Sequence, residues 1–286
     1  MKRLIINADD LGADAPRNAG IFEAIRSGRV TSASILPNGP ALQDALDRIH
    51  TGSIGNISWG VHLNLSEGLP LSTGSLLLGP DGKFKGKGPT QRLLMRQEGR
   101  DLEREVIDEI DAQISLLKAS GILLHHLDGH QHVHVFPAVL RAMLRAAIKH
   151  EIPWIRMPYE PEPFSPDSTL RPFLSQESRF FSALGSAARP AILEAGRHCP
   201  DHFRGLYLKG RLTLQRLEPV LRELPEGLTE LMVHPGREAE HLWENPFSRF
   251  STVERRQELE TLLNAKLNLI FKELNISLTP FPENPF

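Results

Sequence analysis

The chain has 286 residues, 40% hydrophobic and 24% charged, which is apolar material for a large core and excludes an intrinsically disordered protein. Its 33 Lys and Arg against 35 Asp and Glu leave a formal charge of −2. That balance excludes the basic footprint of a nucleic-acid binder and a polybasic membrane-surface protein. No apolar stretch approaches the roughly 18 residues a spanning helix needs. The opening run, Met1 to Asn7, passes directly into polar residues and reads as no signal peptide. The lone Cys199 excludes an internal disulfide and a Cys-rich metal site, and the expected location is the cytoplasm.

The elements follow in chain order. Residues 4–6 read as a buried strand, and 19–25 repeat their apolar residues at helical spacing before stopping at Gly28. Residues 31–36 and 57–65 are the next strand candidates, the first closed by Pro37-Asn38-Gly39. A loop rich in Gly, Ser and Pro covers 66–89. The clearest helix spans 102–118, with Val106, Ile110, Ile114 and Leu117 on one face. A strand at 123–127, a helix at 138–150 and a short strand at 153–156 lead into a proline-rich excursion at 157–175. A helix at 187–197, a strand at 203–207, a helix at 213–223 and a strand at 228–233 resume the pattern. A long helix at 253–274 and a strand at 276–278 end it. Such β/α alternation predicts a mainly parallel sheet covered by helices, closed as a barrel or open. The whole chain, 1–286, reads as one domain with excursions at about 66–100 and 157–185.

Four segments carry candidate chemistry, each at the end of a proposed strand. Asp9-Asp10 follows the first strand; the pair reads either as a solvated loop that caps a helix or as carboxylates stabilised by a cation. His62 lies within an apolar strand, as a hydrogen-bonded core residue or a ligand. The run from His125 to His134 holds five histidines. In extended chain, Asp128, His130, His132 and His134 would share one side, and neutral imidazoles so crowded favour metal binding over core packing. Asp128 could then orient a ligand histidine, while His125 and His126 read as strand-entry residues. His234, before Pro235-Gly236, is either a turn histidine or a site residue. Because the carboxyl ends of parallel strands gather on one face, these residues are expected to converge. One Asp with two His leaves coordination positions open, as in a catalytic centre.

The ordered motifs resemble the YdjC-like carbohydrate deacetylases, a family with chitooligosaccharide deacetylases and a hopanoid-associated branch. The matching pieces are Asn7-Ala8-Asp9-Asp10-Leu11-Gly12 with Asn18-Ala19-Gly20-Ile21, Gly60-Val61-His62-Leu63-Asn64-Leu65 with Glu67-Gly68, and Asp128-Gly129-His130-Gln131-His132-Val133-His134. Ile155-Arg156-Met157-Pro158, Asp201-His202-Phe203-Arg204-Gly205 and His234-Pro235-Gly236 follow in the family's order. The resemblance implies a distorted (β/α) TIM-like barrel of mainly parallel strands. It also implies a hydrolase that removes acetyl from an N-acetylated amino sugar, such as a chito-oligosaccharide, with one divalent metal ion, magnesium or zinc. Carried over by position, Asp10, His62 and His130 would hold the metal, with His132 the competitor of His130. Asp9 would be the general base and His234 the acid, with Arg156, Asp128, His132 and Asn64 binding substrate or supporting these groups. Homodimerisation is a further implication.

The residues agree with such chemistry: Asp9 suits proton abstraction and His234, with an unperturbed pKa near neutrality, suits proton delivery. Arg156 either holds Asp9 ionised, binds a sugar hydroxyl or makes a surface ion pair. Trp59, Trp154 and Phe164 are either sugar-stacking or core residues. Two other functions use the same residues, a metal-dependent phosphoesterase and a non-catalytic metal- or sugar-binding protein.

Overall fold

The structure is a computed structural model; it describes residues 1–52, 54–96, 99–162, 172–240, 247, 249 and 251–283. The apolar start of the chain forms β1 (Lys2–Leu11), buried from Leu4 onward, as expected of a central parallel strand covered on both faces. Around it lie β2 (Ser32–Ile35), β3 (Ser58–Leu63), β4 (Leu124–Gly129), β5 (Trp154–Ile155), β6 (His202–Arg204), β7 (Gly227–Val233) and β8 (Ile276–Leu278). All pairings are parallel, in the order β5-β4-β3-β2-β1-β7-β6. Strand β8 pairs with the first part of β1, Lys2 to Leu4, below the Asn7 to Leu11 stretch that pairs with β2.

The sheet curls into an incomplete barrel, the α/β architecture expected. One short segment reaches both of its edges. His198 bridges to Trp154 of β5, and a few residues later β6 pairs with β7.

The connecting helices are α1 (Ala15–Arg26), α2 (Leu42–Thr51), α3 (Lys87–Arg96), α4 (Arg100–Ala119), α5 (Pro137–Lys149), α6 (Pro172–Glu194), α7 (Leu214–Arg222), α8 (Val253–Leu263) and α9 (Lys266–Glu273). Asp14 caps α1 by accepting from the Arg17 N–H, and Thr213 caps α7 by accepting from the Arg216 N–H. The predicted α4 face, Val106, Ile110, Ile114 and Leu117, is fully buried. No described helix is long and apolar enough to cross a membrane.

Four expectations needed correction. Helix α2 was not anticipated; it has no side-chain cap, and its buried residues are only Ala45 and Leu46. Helix α3 occupies the end of the 66–89 loop and beyond. Helix α6 starts at Pro172 rather than 187 and carries Pro190 inside it. The long helix expected at 253–274 is two, because Asn264 leaves the helical region at φ −64, ψ 124 and ends α8.

Candidate active site

Strand β1 delivers both aspartates to the same place, which a regular strand could not do, since consecutive side chains face opposite ways. The register with β2 shifts between Ala8 and Leu11, and Asp10 adopts φ +66 with Gly12 at φ +103. Such a bulge re-aims a side chain. Asp9 thereby faces Arg156 and His234, while Asp10 faces His62 and His130.

His62 of β3 and Asp128 of β4 are register partners, and His62 Nδ1 lies 2.7 Å from Asp128 Oδ1. The other ring nitrogen, Nε2, stands 3.3 Å from Asp10 Oδ1. His130 repeats this arrangement, with Nδ1 2.8 Å from the same Asp10 oxygen and Nε2 3.4 Å from Glu67 Oε2. Each imidazole thus turns one nitrogen to Asp10 and the other to a second carboxylate. The donor atoms of Asp10, His62 and His130 all lie within 4.8 Å of one another, close enough to hold a metal ion.

The extended alternation expected beyond Asp128 is not what the chain does. Residues His130–Val135 form a 3-10 turn, with Gln131 and His132 in the left-handed region at φ 53 and 55. His130 therefore reaches Asp10 alone. His132 packs against Phe181 and Phe203, at ring distances of 4.8 and 6.4 Å. His134 pairs its Nε2 with the Arg156 carbonyl oxygen at 3.2 Å.

Arg156 is fully buried rather than part of a surface ion pair, which corrects that alternative. It forks onto Asp9 at 2.7 and 2.6 Å, reaches Asp128 Oδ2 at 2.7 Å and donates from Nε to Glu230 Oε1 at 2.7 Å. His234, after β7, brings Nε2 to 3.8 Å from Asp9 Oδ2. Its backbone N–H donates to Glu258 Oε2 at 2.6 Å.

Burial and neighbouring charge set the protonation of these groups. Burial opposes a charge on His62, yet Asp128 and Asp9 together with hydrogen bonds push its pKa up to about 10. Burial also opposes ionisation of Asp10, but His130 and Arg17 hold it well below the usual carboxylate range. Burial raises the pKa of Asp9 against the pull of Arg156. Burial and the nearby Arg255 keep His234 well below its ordinary value, so this imidazole rests neutral.

The other expected residues fall as follows. The Asn64 side chain is used within its own loop: Oδ1 accepts from the Ser66 and Glu67 N–H groups, and Nδ2 donates to Asn38 and to the Glu67 carbonyl. It shapes the turn that presents Glu67. Trp59, partly buried, packs on Phe22 at the margin of the core, while the buried Trp154 donates to the Pro282 carbonyl beside Phe281; Phe164 lies outside the described residues. His125 is half-buried at strand entry and accepts from the Trp59 N–H. His126, expected at strand entry, is the third residue of β4 and fully buried, stacked on Phe281 at 4.3 Å.

Sequence reasoning missed Arg17, Ser34, Glu67, Glu230, Arg255 and Glu258. Arg17 donates to Asp10 Oδ2 at 2.8 Å, and Ser34 donates to Asp128 Oδ2 at 2.7 Å. Arg255 pairs with Glu258 at 3.0 Å. A signal existed for Glu67, inside a quoted motif, and a weaker one for Arg17, next to Asn18 of another. Glu258 lies on a helix 24 residues beyond His234, and nothing local ties the two.

The family profile described as "YdjC-like protein" matches residues 3–273. A carbohydrate deacetylase of Mus musculus is 36% identical over 251 residues, covering 82% of this chain and 78% of its own length. A carbohydrate deacetylase of Danio rerio is 31% identical and covers 98% of each chain. A solved structure from Enterococcus faecalis V583, described as a candidate cellobiose-phosphate cleavage protein, shares the fold. Its TM-score is 0.74 at 24% identity, covering 98% of this chain and 97% of that one.

Proposed function

The chain belongs to the YdjC-like family, and from that premise we propose that it is a metal-dependent carbohydrate deacetylase. Its substrate would be an N-acetylated amino sugar, a chito-oligosaccharide or a related glycan. The relatives named carbohydrate deacetylase support the reaction class. One observation carries the metal dependence: His62 and His130 both aim a ring nitrogen at Asp10 Oδ1 while a carboxylate holds the other. Imidazoles oriented this way by outer carboxylates are characteristic of metal ligands.

The charge of the pocket fits a cation. Asp9, Asp10, Asp128 and Glu230 are buried around Arg156 and Arg17, and in metal-free protein a proton on His62 offsets part of the carboxylate excess, a charge that a bound cation would replace. Buried charge of one sign is costly without compensation. Asp10, His62 and His130 would hold the ion, and mixed nitrogen and oxygen donors suit zinc or magnesium. When bound, it would supply Lewis-acid polarisation of the acetamide carbonyl and of the attacking water.

The remaining work falls to this chain's own groups. Asp9, gripped in one orientation by Arg156, accepts the proton of the attacking water. The amine nitrogen must gain a proton before it leaves. His234 rests neutral, so it first takes a proton, and Asp9 Oδ2 at 3.8 Å is the neighbour able to supply it. His234 then passes it to nitrogen and returns to its resting form. Asp128 and Glu67 keep the two imidazoles turned toward Asp10.

The test is acetate release from N-acetylglucosamine and its oligomers, abolished by chelator and restored by added zinc or magnesium. Metal bound stoichiometrically with no acetate from any N-acetyl sugar would sink the reaction class. Turnover of phosphoesters alone would favour the phosphoesterase, and tight sugar binding without turnover a binding protein. The same reading takes residues 1–286 as one cytoplasmic domain acting as a homodimer, which light scattering checks for the assembly.

A further inference from the structure

Arg156 is shared by three carboxylates from three strands: Asp9 of β1, Asp128 of β4 and Glu230 of β7. Two of these belong to the chemistry proposed above. Asp9 faces His234, and Asp128 holds His62. Glu230 touches neither. It is fully buried, its Oε1 accepts from Arg156 Nε at 2.7 Å, and its Oε2 has no hydrogen-bond partner among the described residues.

We propose that Glu230 is a positioning residue for the deacetylation, fixing the Nε edge of Arg156 so that its opposite edge forks Asp9, and that this grip depends on pH. The proposal rests on the deacetylase reading. A guanidinium is planar, so pinning Nε sets the plane in which the two terminal nitrogens meet a carboxylate. An ionised Glu230 pins it with a charge-assisted bond. A protonated Glu230 pins it weakly, and the guanidinium then shifts toward Asp9 and Asp128.

Of the three carboxylates, Glu230 has the fewest groups holding its charge. Asp9 is held by two Arg156 nitrogens and by Asn7 at 2.8 Å. Asp128 is held by Arg156, His62 and Ser34. Among the described residues Glu230 has a single hydrogen-bond partner, Arg156. The charged groups facing it are Arg156, Asp128 and Asp9, and burial, only partly offset by Arg156, raises its pKa to about 7. Deacetylation should therefore rise as pH passes upward through neutrality.

The experiment compares wild type with Glu230→Gln, an isostere of the protonated acid, using a substrate that releases acetate. At about pH 8.5 the variant should show kcat about tenfold lower with KM within about twofold. At about pH 6 the gap should close to about twofold, because the wild-type side chain is then also neutral. In ¹³C-glutamate-labelled protein, two carboxyls, those of Glu230 and Glu160, should titrate near 7 in wild type, and one of the two should be missing in the variant. A defect equal at both pH values, or none at the higher one, would overturn the proposal. Should Glu230→Gln fail to fold, Glu230→Asp keeps the charge but shortens the reach, and a wild-type kcat in that variant at about pH 8.5 would equally overturn it. If wild type itself releases no acetate, the deacetylase reading falls instead.

Discussion

His62 and His126 lie on neighbouring strands, both fully or nearly fully buried, both beside Asp128 or its hydrogen-bond partner, and their protonation is opposite. His62 points to the carboxyl ends of the strands, where Asp128, Asp9 and Asp10 surround it and raise its pKa to about 10. His126 points to the barrel floor and meets Phe281 and the Ser34 hydroxyl. There burial dominates and lowers its pKa to about 3. One end of the sheet collects charge and the other, with Ile5, Trp154, Leu228 and Phe281, excludes it. Burial alone does not decide what a histidine does; the partners at each end of the strands do.

The largest test of that contrast is at the charged end. Asp10→Ala or His62→Ala should lower deacetylation about a thousandfold or more, since Lewis-acid stabilisation is worth several kcal/mol. Metal analysis should show the ion lost. Next, Asp9→Asn should cost roughly 10²- to 10⁴-fold in kcat with metal content intact. Asp128→Asn, which removes an outer partner of His62, should weaken metal affinity or activity by about 10- to 100-fold, measured by metal competition.

At the floor the effects are on stability. A Cβ at Gly60 would sit 2.2 Å from His126 Nε2, on a ring already stacked against Phe281. Gly60→Ala should therefore destabilise by about 1–3 kcal/mol in urea melts, with metal affinity preserved in the folded fraction. The smallest effect is a slope. His126 stays neutral in the fold down to about pH 3 but gains a proton near 6.5 when unfolded. Stability is thus lost as pH falls below 6.5, by up to about 1.4 kcal/mol per unit for this group. His126→Gln should flatten that dependence by one proton. In metal-free protein His62 works in the opposite sense: its contribution is complete below 6.5 and lost as pH rises through about 10.

Much of this was legible in the sequence because it follows from local pattern. The β/α alternation and the apolar runs of β1, β3 and β7 revealed a parallel sheet, and parallel strands bring their ends together without further information. Asp9, Asp10, His62, Asp128, His130 and His234 were found at those ends. What stayed hidden depends on contacts across the chain or on backbone conformation. The left-handed Gln131 and His132, which separate His130 from its neighbours, leave no mark in residue type. Glu230 looked like a polar residue in a strand, and only the curl of the sheet sets it against Arg156. Helix α2 lacked a side-chain cap to announce its start, although Leu42, Ala45, Leu46 and Ile49 do recur at helical spacing.

The pairing of β8 with the base of β1 links synthesis to assembly. Strand β1 waits for one that emerges from the ribosome 274 residues later, counted from Lys2 to Ile276, before its lower half is flanked on both sides. Contacts so distant along a chain form late and slowly. A nascent chain stalled short of residue 276 would therefore expose an unsatisfied backbone edge at the centre of its sheet, an invitation to chaperones or to aggregation.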